Sequence, residues 1–94
     1  EMEVIKTFEV IAKNYSFSMS EIRVKKGDKV QVVLKNEQGF HDWTVDAFNA
    51  RTPQIGEGKS ASVEFVADKV GTFEYYCSVG SHRQLGMKGN LVVE

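Results

Sequence analysis

The sequence predicts an all-β domain, folded as a sandwich or barrel of seven or eight strands. Apolar residues recur at every second position in several short stretches, as in Val30, Val32 and Leu34, and this period is typical of half-buried strands. Turn-forming residues separate these stretches at short intervals. No stretch has the apolar period of an amphipathic helix. Short strands between frequent turns favour a sandwich or barrel.

The predicted strands run from end to end of the chain. Their bounds are about 4–13, 15–19, 21–25, 29–36, 41–47, 60–66, 71–77 and 88–94. The turn residues 26–28 separate the third strand from the fourth, and 36–39 precede the fifth. The longest irregular stretch, 49–59, contains Pro53 and two glycines. We expect a crossing loop there, with a short edge strand around Ile55.

The last three strands carry the clearest alternation. The residues that share a face are Val63 and Phe65, then Phe73, Tyr75 and Cys77, then Leu91 and Val93. The turn 68–71 separates the first of these strands from the second. The second strand leads directly into the part of the chain that carries the chemistry.

The composition of the chain excludes some classes of protein function. The length of 94 residues predicts one domain, 1–94, and 41% hydrophobic residues are enough for a packed core. Twelve basic and thirteen acidic residues form no basic stripe, which argues against nucleic-acid binding. No apolar run approaches the roughly 18 residues that a membrane span needs. The chain begins at Glu1 without a signal peptide, so we expect a processed or trimmed form, and the loss of a signal, lipid anchor or neighbouring domain stays open.

The stretch 76–87 holds the only cysteine, one of the two histidines and a methionine. They are spaced C-x4-H-x4-M, as Cys77, His82 and Met87, and the other histidine, His41, lies far upstream. Two imidazoles, a thiolate and a thioether are the donors of a type 1 copper site, a His2Cys plane with a long axial methionine bond. The small residues after Cys77 allow a loop to fold tightly round a metal. The sequence therefore predicts one copper ion held by these four residues.

Each of these residues also has an ordinary interpretation. A single cysteine forms no internal disulfide and is more often a buried apolar side chain than a ligand. His82 alone would be a loop histidine, and Met87 alone a core residue. Their common spacing, together with His41, favours the metal site. We expect Trp43, two residues from His41, to lie in the core.

The chain resembles the cupredoxins, small blue copper proteins such as plastocyanin, azurin and rusticyanin. Residues 17–30 look like the family's N-terminal strand pair, 71–77 like its cysteine strand and 87–93 like its last strand. The loop spacing is similar to that of rusticyanin. The resemblance covers nearly the whole chain. It implies a Greek-key β-sandwich or barrel that transfers single electrons by cycling one copper ion between Cu(I) and Cu(II).

The resemblance also implies roles for single residues. His41, Cys77 and His82 would be the equatorial ligands, and Met87 the axial ligand. In the family, the loop histidine reaches the surface inside an apolar patch and passes the electron. That role would fall to His82, with patch residues Phe40, Leu85 and Gly86. Tyr76 would offer a second route, as in plastocyanin, although a plain outward-facing aromatic residue is the favoured interpretation.

Asp42 departs from the family pattern. Many members have Asn after the first histidine, and its side chain ties that strand to the cysteine loop. An ionised carboxylate only accepts hydrogen bonds, whereas an amide also donates them. A negative charge near the copper should favour Cu(II), so we hypothesise that Asp42→Asn raises the reduction potential.

Other functions remain as alternatives. A Cys–His pair is also found in nucleophilic enzymes, but nothing in the sequence supplies a third orienting group, so we do not expect an enzyme. A copper oxidase needs more histidines, and a binuclear electron-transfer centre needs two cysteines. A copper carrier, a zinc protein and a plain β-sandwich interaction module complete the set.

We therefore predict a monomeric electron carrier that acts outside the cytoplasm, in a periplasm or at a membrane surface. Its partners would be redox proteins that dock near His82. The near-zero net charge implies weak long-range steering, so docking would rest on the apolar patch.

Overall fold

The computed structural model describes residues 5–94 and confirms the all-β prediction, with two sheets facing each other. The strands are β1 (Ile5–Lys13), β2 (Ser16–Phe17), β3 (Glu21–Val24), β4 (Lys29–Asn36), β5 (Thr44–Val45), β6 (Ala50–Arg51), β7 (Ser60–Val66), β8 (Gly71–Tyr76) and β9 (Lys88–Val93). A short 3-10 turn covers Asp46–Phe48. In this part of the chain, no helix has the length and apolar character needed to cross a bilayer.

The strands form a Greek-key sandwich, as the resemblance implied. One sheet has the order β2-β1-β4-β7 and the other the order β3-β9-β8-β5-β6. β1 pairs with β4 and β3 pairs with β9 in parallel, whereas the other neighbours are antiparallel. Each sheet therefore contains strands from both halves of the sequence. Segments that are far apart in the chain meet at one end of the sandwich.

The core lies between the sheets and follows the predicted period of two. Val30, Val32 and Leu34 of β4 are all 0% exposed, and the residues between them are more exposed. Trp43 is buried as expected, with its ring centroid 5.0 Å from that of Tyr75. The predicted bounds of β1, β4, β7, β8 and β9 agree with the observed ones to within a residue or two. Residue 4, where the first strand was predicted to begin, lies outside the described residues.

The predicted strand 41–47 is mostly not a regular strand. His41 forms an isolated bridge with Ile55, and only Thr44–Val45 pairs as β5. The segment from His41 to Val45 is buried at every position, and its backbone changes partners along its length. His41 exchanges two hydrogen bonds with Ile55, whereas Trp43 is bonded to Thr52. Where a short edge strand was expected around Ile55, the chain forms only this isolated bridge.

Candidate metal centre

His41, Cys77 and His82 meet at one end of the sandwich. One ligand atom from each lies within 4.8 Å of the other two. The two Nδ1 atoms are 3.2 Å apart, and the Cys77 Sγ atom lies 3.8 Å from His41 Nδ1 and 3.5 Å from His82 Nδ1. His41 comes from the bridge with Ile55, and the other two come from the end of β8 and the loop that follows.

These separations fit a metal ion bound by all three side chains. With zinc as a guide, metal bonds are about 2.0–2.1 Å to imidazole nitrogen and about 2.3 Å to thiolate sulfur. At angles of roughly 100–120°, such bonds place two nitrogens about 3.1–3.6 Å apart, and a nitrogen about 3.3–3.8 Å from the sulfur. The observed distances lie within these ranges. The three donor atoms are thus already spaced as the vertices of a coordination site.

His41 is held in the orientation that a ligand requires. Its side chain is 0% exposed, and its Nε2 atom lies 2.7 Å from the backbone oxygen of Gln38. Because a carbonyl only accepts, Nε2 carries the proton and donates it, which leaves the lone pair on Nδ1. Burial lowers the pKa of His41, so the ring is kept neutral. A neutral imidazole with a free Nδ1 is the form that binds metals.

Cys77 follows β8 directly and is 0% exposed. Burial raises the pKa of the Cys77 thiol, so the metal-free protein carries a protonated thiol at neutral pH. Metal ligation requires the thiolate, so binding at this site is coupled to loss of that proton. Cys77 is thus a buried thiol that must lose its proton before it can serve as a ligand.

The loop after Cys77 brings Met87 beside the same site. The Cys77 amide donates to the Met87 carbonyl at 3.1 Å, and the Met87 amide donates to the His82 carbonyl at 3.1 Å. A further bond, from the His82 amide to Val79, tightens the loop. The Met87 side chain is 0% exposed. All three residues of the C-x4-H-x4-M motif are therefore linked by short backbone hydrogen bonds.

Asp42 ties the His41 segment to the cysteine loop despite being a carboxylate. It is 2% exposed. Its Oδ1 atom accepts a hydrogen bond of 2.7 Å from the Ser78 amide, and its Oδ2 atom accepts one from the Ser78 hydroxyl. Ser78 supplies both donors, so an acceptor-only side chain is satisfied here. The two segments that carry the candidate ligands are therefore locked together next to the site.

The apolar residues expected around His82 are exposed, and Tyr15, which was not expected there, packs against it. Phe40 is 47% exposed and Leu85 is 55% exposed, while His82 is partly exposed. Tyr15, which is 46% exposed, packs its ring against His82 with centroids 4.9 Å apart. The described residues thus place an exposed apolar surface around His82.

Tyr76 is more constrained than a plain outward aromatic residue. Its hydroxyl donates to both carboxylate oxygens of Asp46, at 3.0 and 2.9 Å, and this bond is the main reason that its pKa is raised. The Arg83 guanidinium lies 3.9 Å from the ring centroid and pairs with Glu74. Arg83 therefore covers one face of the Tyr76 ring, at the end of β8 and next to Cys77.

Sequence reasoning missed three residues that shape the site: Gln38, Ser78 and Tyr15. The Asp42 carboxylate needs hydrogen-bond donors if it ties the His41 segment to the cysteine loop. Ser78 follows Cys77 directly and could have been predicted as that donor. The role of Gln38 rests on its backbone oxygen, which any residue supplies. Nothing local marks Tyr15, since it is far from His82 in the chain.

Comparison with known proteins finds relatives that are much longer than this chain. In sequence it is 34% identical over 93 residues to nitrous-oxide reductase of Cupriavidus necator, covering 94% of this chain and 14% of that protein. It is 31% identical over 102 residues to an iron transport multicopper oxidase of Kluyveromyces lactis, covering 90% of this chain and 16% of that protein. The chain thus spans about a seventh of the length of these curated relatives.

Solved structures share the whole fold. Auracyanin A from Chloroflexus aurantiacus, described as a "blue" copper protein, superposes with a TM-score of 0.85 at 23% identity, over 97% of this chain and 100% of that chain. Dithionite-reduced auracyanin from Roseiflexus castenholzii gives 0.86 at 21% identity, over 95% and 97%. The family model of the cupredoxin-like domain matches residues 2–93. With this match across its length, the chain belongs to the cupredoxin-like domain family.

Proposed function

We propose that this protein binds one copper ion through His41, Cys77 and His82, with Met87 as a fourth, axial ligand, and transfers single electrons between redox partners. The observation that carries the proposal is the convergence of three donor atoms within 4.8 Å. A nitrogen, nitrogen and sulfur donor set beside a buried thioether suits copper better than zinc, because thioethers are soft ligands that favour Cu(I).

The surrounding residues suit a site that must change little when an electron moves. When bound, copper supplies the one-electron couple between Cu(I) and Cu(II). Gln38 holds the His41 ring, and the Asp42–Ser78 pair holds the two ligand segments together. Because hydrogen bonds rather than the ion fix these side chains, little rearrangement is needed between the two oxidation states.

The exposed surface around His82 is the proposed place of electron exchange. Phe40 and Leu85 are exposed apolar side chains, and an apolar contact of this kind brings a partner close to the ring without strong charge pairing. The formal net charge of −1 gives little long-range attraction. We infer partners that are redox proteins, a location outside the cytoplasm, a monomeric state and a single domain over residues 1–94.

We favour an electron carrier over an enzyme. Two of the similar proteins carry enzyme names, but this chain spans only a small part of each. His41 and His82, the two histidines of the chain, are both assigned to one site, and further copper centres would need more donors. A copper carrier is the remaining alternative, and it differs from an electron carrier in releasing its metal readily.

The test is a titration of the metal-free protein with Cu(II), followed by visible and EPR spectroscopy. We expect an intense thiolate-to-copper band and narrow copper hyperfine splitting at one equivalent, bleached by ascorbate and restored by an oxidant. Cys77→Ser should abolish the band. Ser62→Ala, at an exposed position of β7, should leave it intact. A weak spectrum typical of ordinary Cu(II) would refute the type 1 site. Loss of copper to a mild chelator on each reduction would favour the carrier.

A further inference from the structure

The turn between β1 and β2, residues 14–15, lies over the proposed copper site and contacts the surroundings of both histidines. On one side, the Tyr15 ring packs against His82 with centroids 4.9 Å apart and an interplanar angle of 55°. On the other side, the backbone N–H of Asn14 donates to the side-chain oxygen of Gln38 at 3.1 Å. Gln38 in turn accepts the Nε2 proton of His41 through its backbone oxygen. One short turn is thus linked to both imidazoles.

The turn is held in place by protein contacts alone. Gly39 has φ +85°, and a Cβ at this residue would overlap the side-chain oxygen of Asn14. The Asn14 side chain therefore occupies the space that residue 39 leaves open. A Cβ at Gly86, in the metal-binding loop, would lie 4.0 Å from the Tyr15 carbonyl. These contacts fix the backbone of residues 14–15, from which the Tyr15 ring extends toward His82.

His82 depends on neighbouring rings more than His41 does. His41 is fully buried and its Nε2 atom is hydrogen-bonded, whereas His82 lies in a loop and is partly exposed. Two rings contact the His82 imidazole in the described part of the chain, those of Tyr15 and His41, each with centroids 4.9 Å away. Tyr15 therefore supplies the aromatic contact from outside the ligand set.

We propose that Tyr15 is a positioning residue, whose ring packs against His82 and keeps the imidazole turned toward His41 and Cys77. This inference rests on the proposed function, because it takes His82 to be a copper ligand. The contact has the centroid separation of favourable aromatic pairs, about 4.5–7 Å. The ring, not the hydroxyl, makes the contact, so phenylalanine should serve as well as tyrosine.

The consequence is a longer residence time of the metal. A histidine that turns away from the site opens the coordination sphere to water and to competing ligands. The strength of a typical aromatic pair corresponds to about a two- to tenfold change in an equilibrium. Removing the Tyr15 ring should therefore speed the release of copper by about this factor. The same change should leave the fold intact, because Tyr15 is 46% exposed.

The experiment compares the wild-type protein with Tyr15→Leu, which keeps apolar bulk without a ring, and with Tyr15→Phe as the matched control. Reduced, copper-loaded protein is mixed with an excess of a Cu(I) chelator, and the rate of copper transfer is followed by absorbance. We expect Tyr15→Phe to match the wild type and Tyr15→Leu to release copper about two- to tenfold faster. In the metal-free wild type, nuclear Overhauser effects between the Tyr15 and His82 rings should be present.

The outcomes separate the two proposals. Equal release rates for Tyr15→Leu and wild type, equally fast release for both variants, or the absence of the ring-to-ring effect would each overturn the role of Tyr15. Copper uptake without a type 1 spectrum in the wild type would refute the proposed function instead. The metal-free measurement then still decides whether Tyr15 orients His82.

Discussion

Replacement of Asp42 by Asn tests how strongly a buried charge beside the site controls its reduction potential. Asp42 is 2% exposed, and its Oδ1 atom is 2.7 Å from the Ser78 amide nitrogen. That nitrogen is joined by a peptide bond to Cys77, whose sulfur is therefore at most about 5 Å further on. The carboxylate thus lies within about 8 Å of the thiolate sulfur.

The expected change follows from Coulomb's law. Taken at this outer limit of about 8 Å, a unit charge contributes about 2 kcal/mol at an effective dielectric constant of about 20. For a one-electron couple, about 1.4 kcal/mol corresponds to about 59 mV, so the full charge is worth about 85 mV. Loss of a negative charge disfavours Cu(II), and we expect the reduction potential of the Asp42→Asn protein to rise by about 50–100 mV.

Voltammetry of copper-loaded protein is the assay. The amide can accept from the Ser78 amide and donate to the Ser78 hydroxyl, so the visible spectrum should show that the site is intact. Asp46→Asn is the matched control: it removes the same charge at an exposed position, where solvent and salt screen it, and it should shift the potential far less. An unchanged or lower potential for Asp42→Asn, with an intact spectrum, would refute the argument.

Three further predictions concern stability. Gly39→Ala should lower the free energy of unfolding, measured in urea, by about 1–2 kcal/mol more than Gly58→Ala. Both glycines have positive φ, but only a Cβ at residue 39 would overlap Asn14, so equal losses would contradict this contact. The hydrogen bond from the Lys25 amide is the main cause that lowers the pKa of Asp28 below its ordinary 3.8. This stabilisation is present above pH 3.8 and is lost as the pH falls through the folded value. Asp28→Asn should therefore reduce stability at pH about 7 and have little effect in strong acid. Urea unfolding at both pH values measures this, and an equal loss of stability at both would contradict the role of the Asp28 charge. Loading with Cu(II) should raise the melting temperature in calorimetry, because the ion binds the folded site; no rise would mean that folded and unfolded chains bind it alike.

Local pattern was sufficient to predict most of the strands and the loop that carries two of the proposed ligands. Alternation along Val30, Val32 and Leu34 predicted β4 because burial on one face of a strand has a period of two. The spacing of Cys77 and His82 predicted that they share a loop, since four intervening residues keep two side chains within reach. The all-β prediction and the burial of Trp43 are both confirmed.

The alternation of apolar residues was not sufficient to locate a strand in a segment that is buried at every position. Residues 41–45 are buried without alternation, so the period of two gave no guide to where β5 begins or ends. Their backbone partners come from the crossing loop. Only the folded chain could show that pairing.

The sequence by itself determined which donor side chains are available for the proposed site: two histidines, one cysteine and a nearby methionine in a predicted β-sandwich. The tertiary structure alone decided how those donors are held. Ser78 satisfies Asp42, Gln38 orients His41, and Tyr15 packs against His82, although 67 positions separate the last pair in the chain. Such contacts depend on how distant strands meet at the end of the sandwich, whereas residue type and local period carry information only about neighbours along the chain.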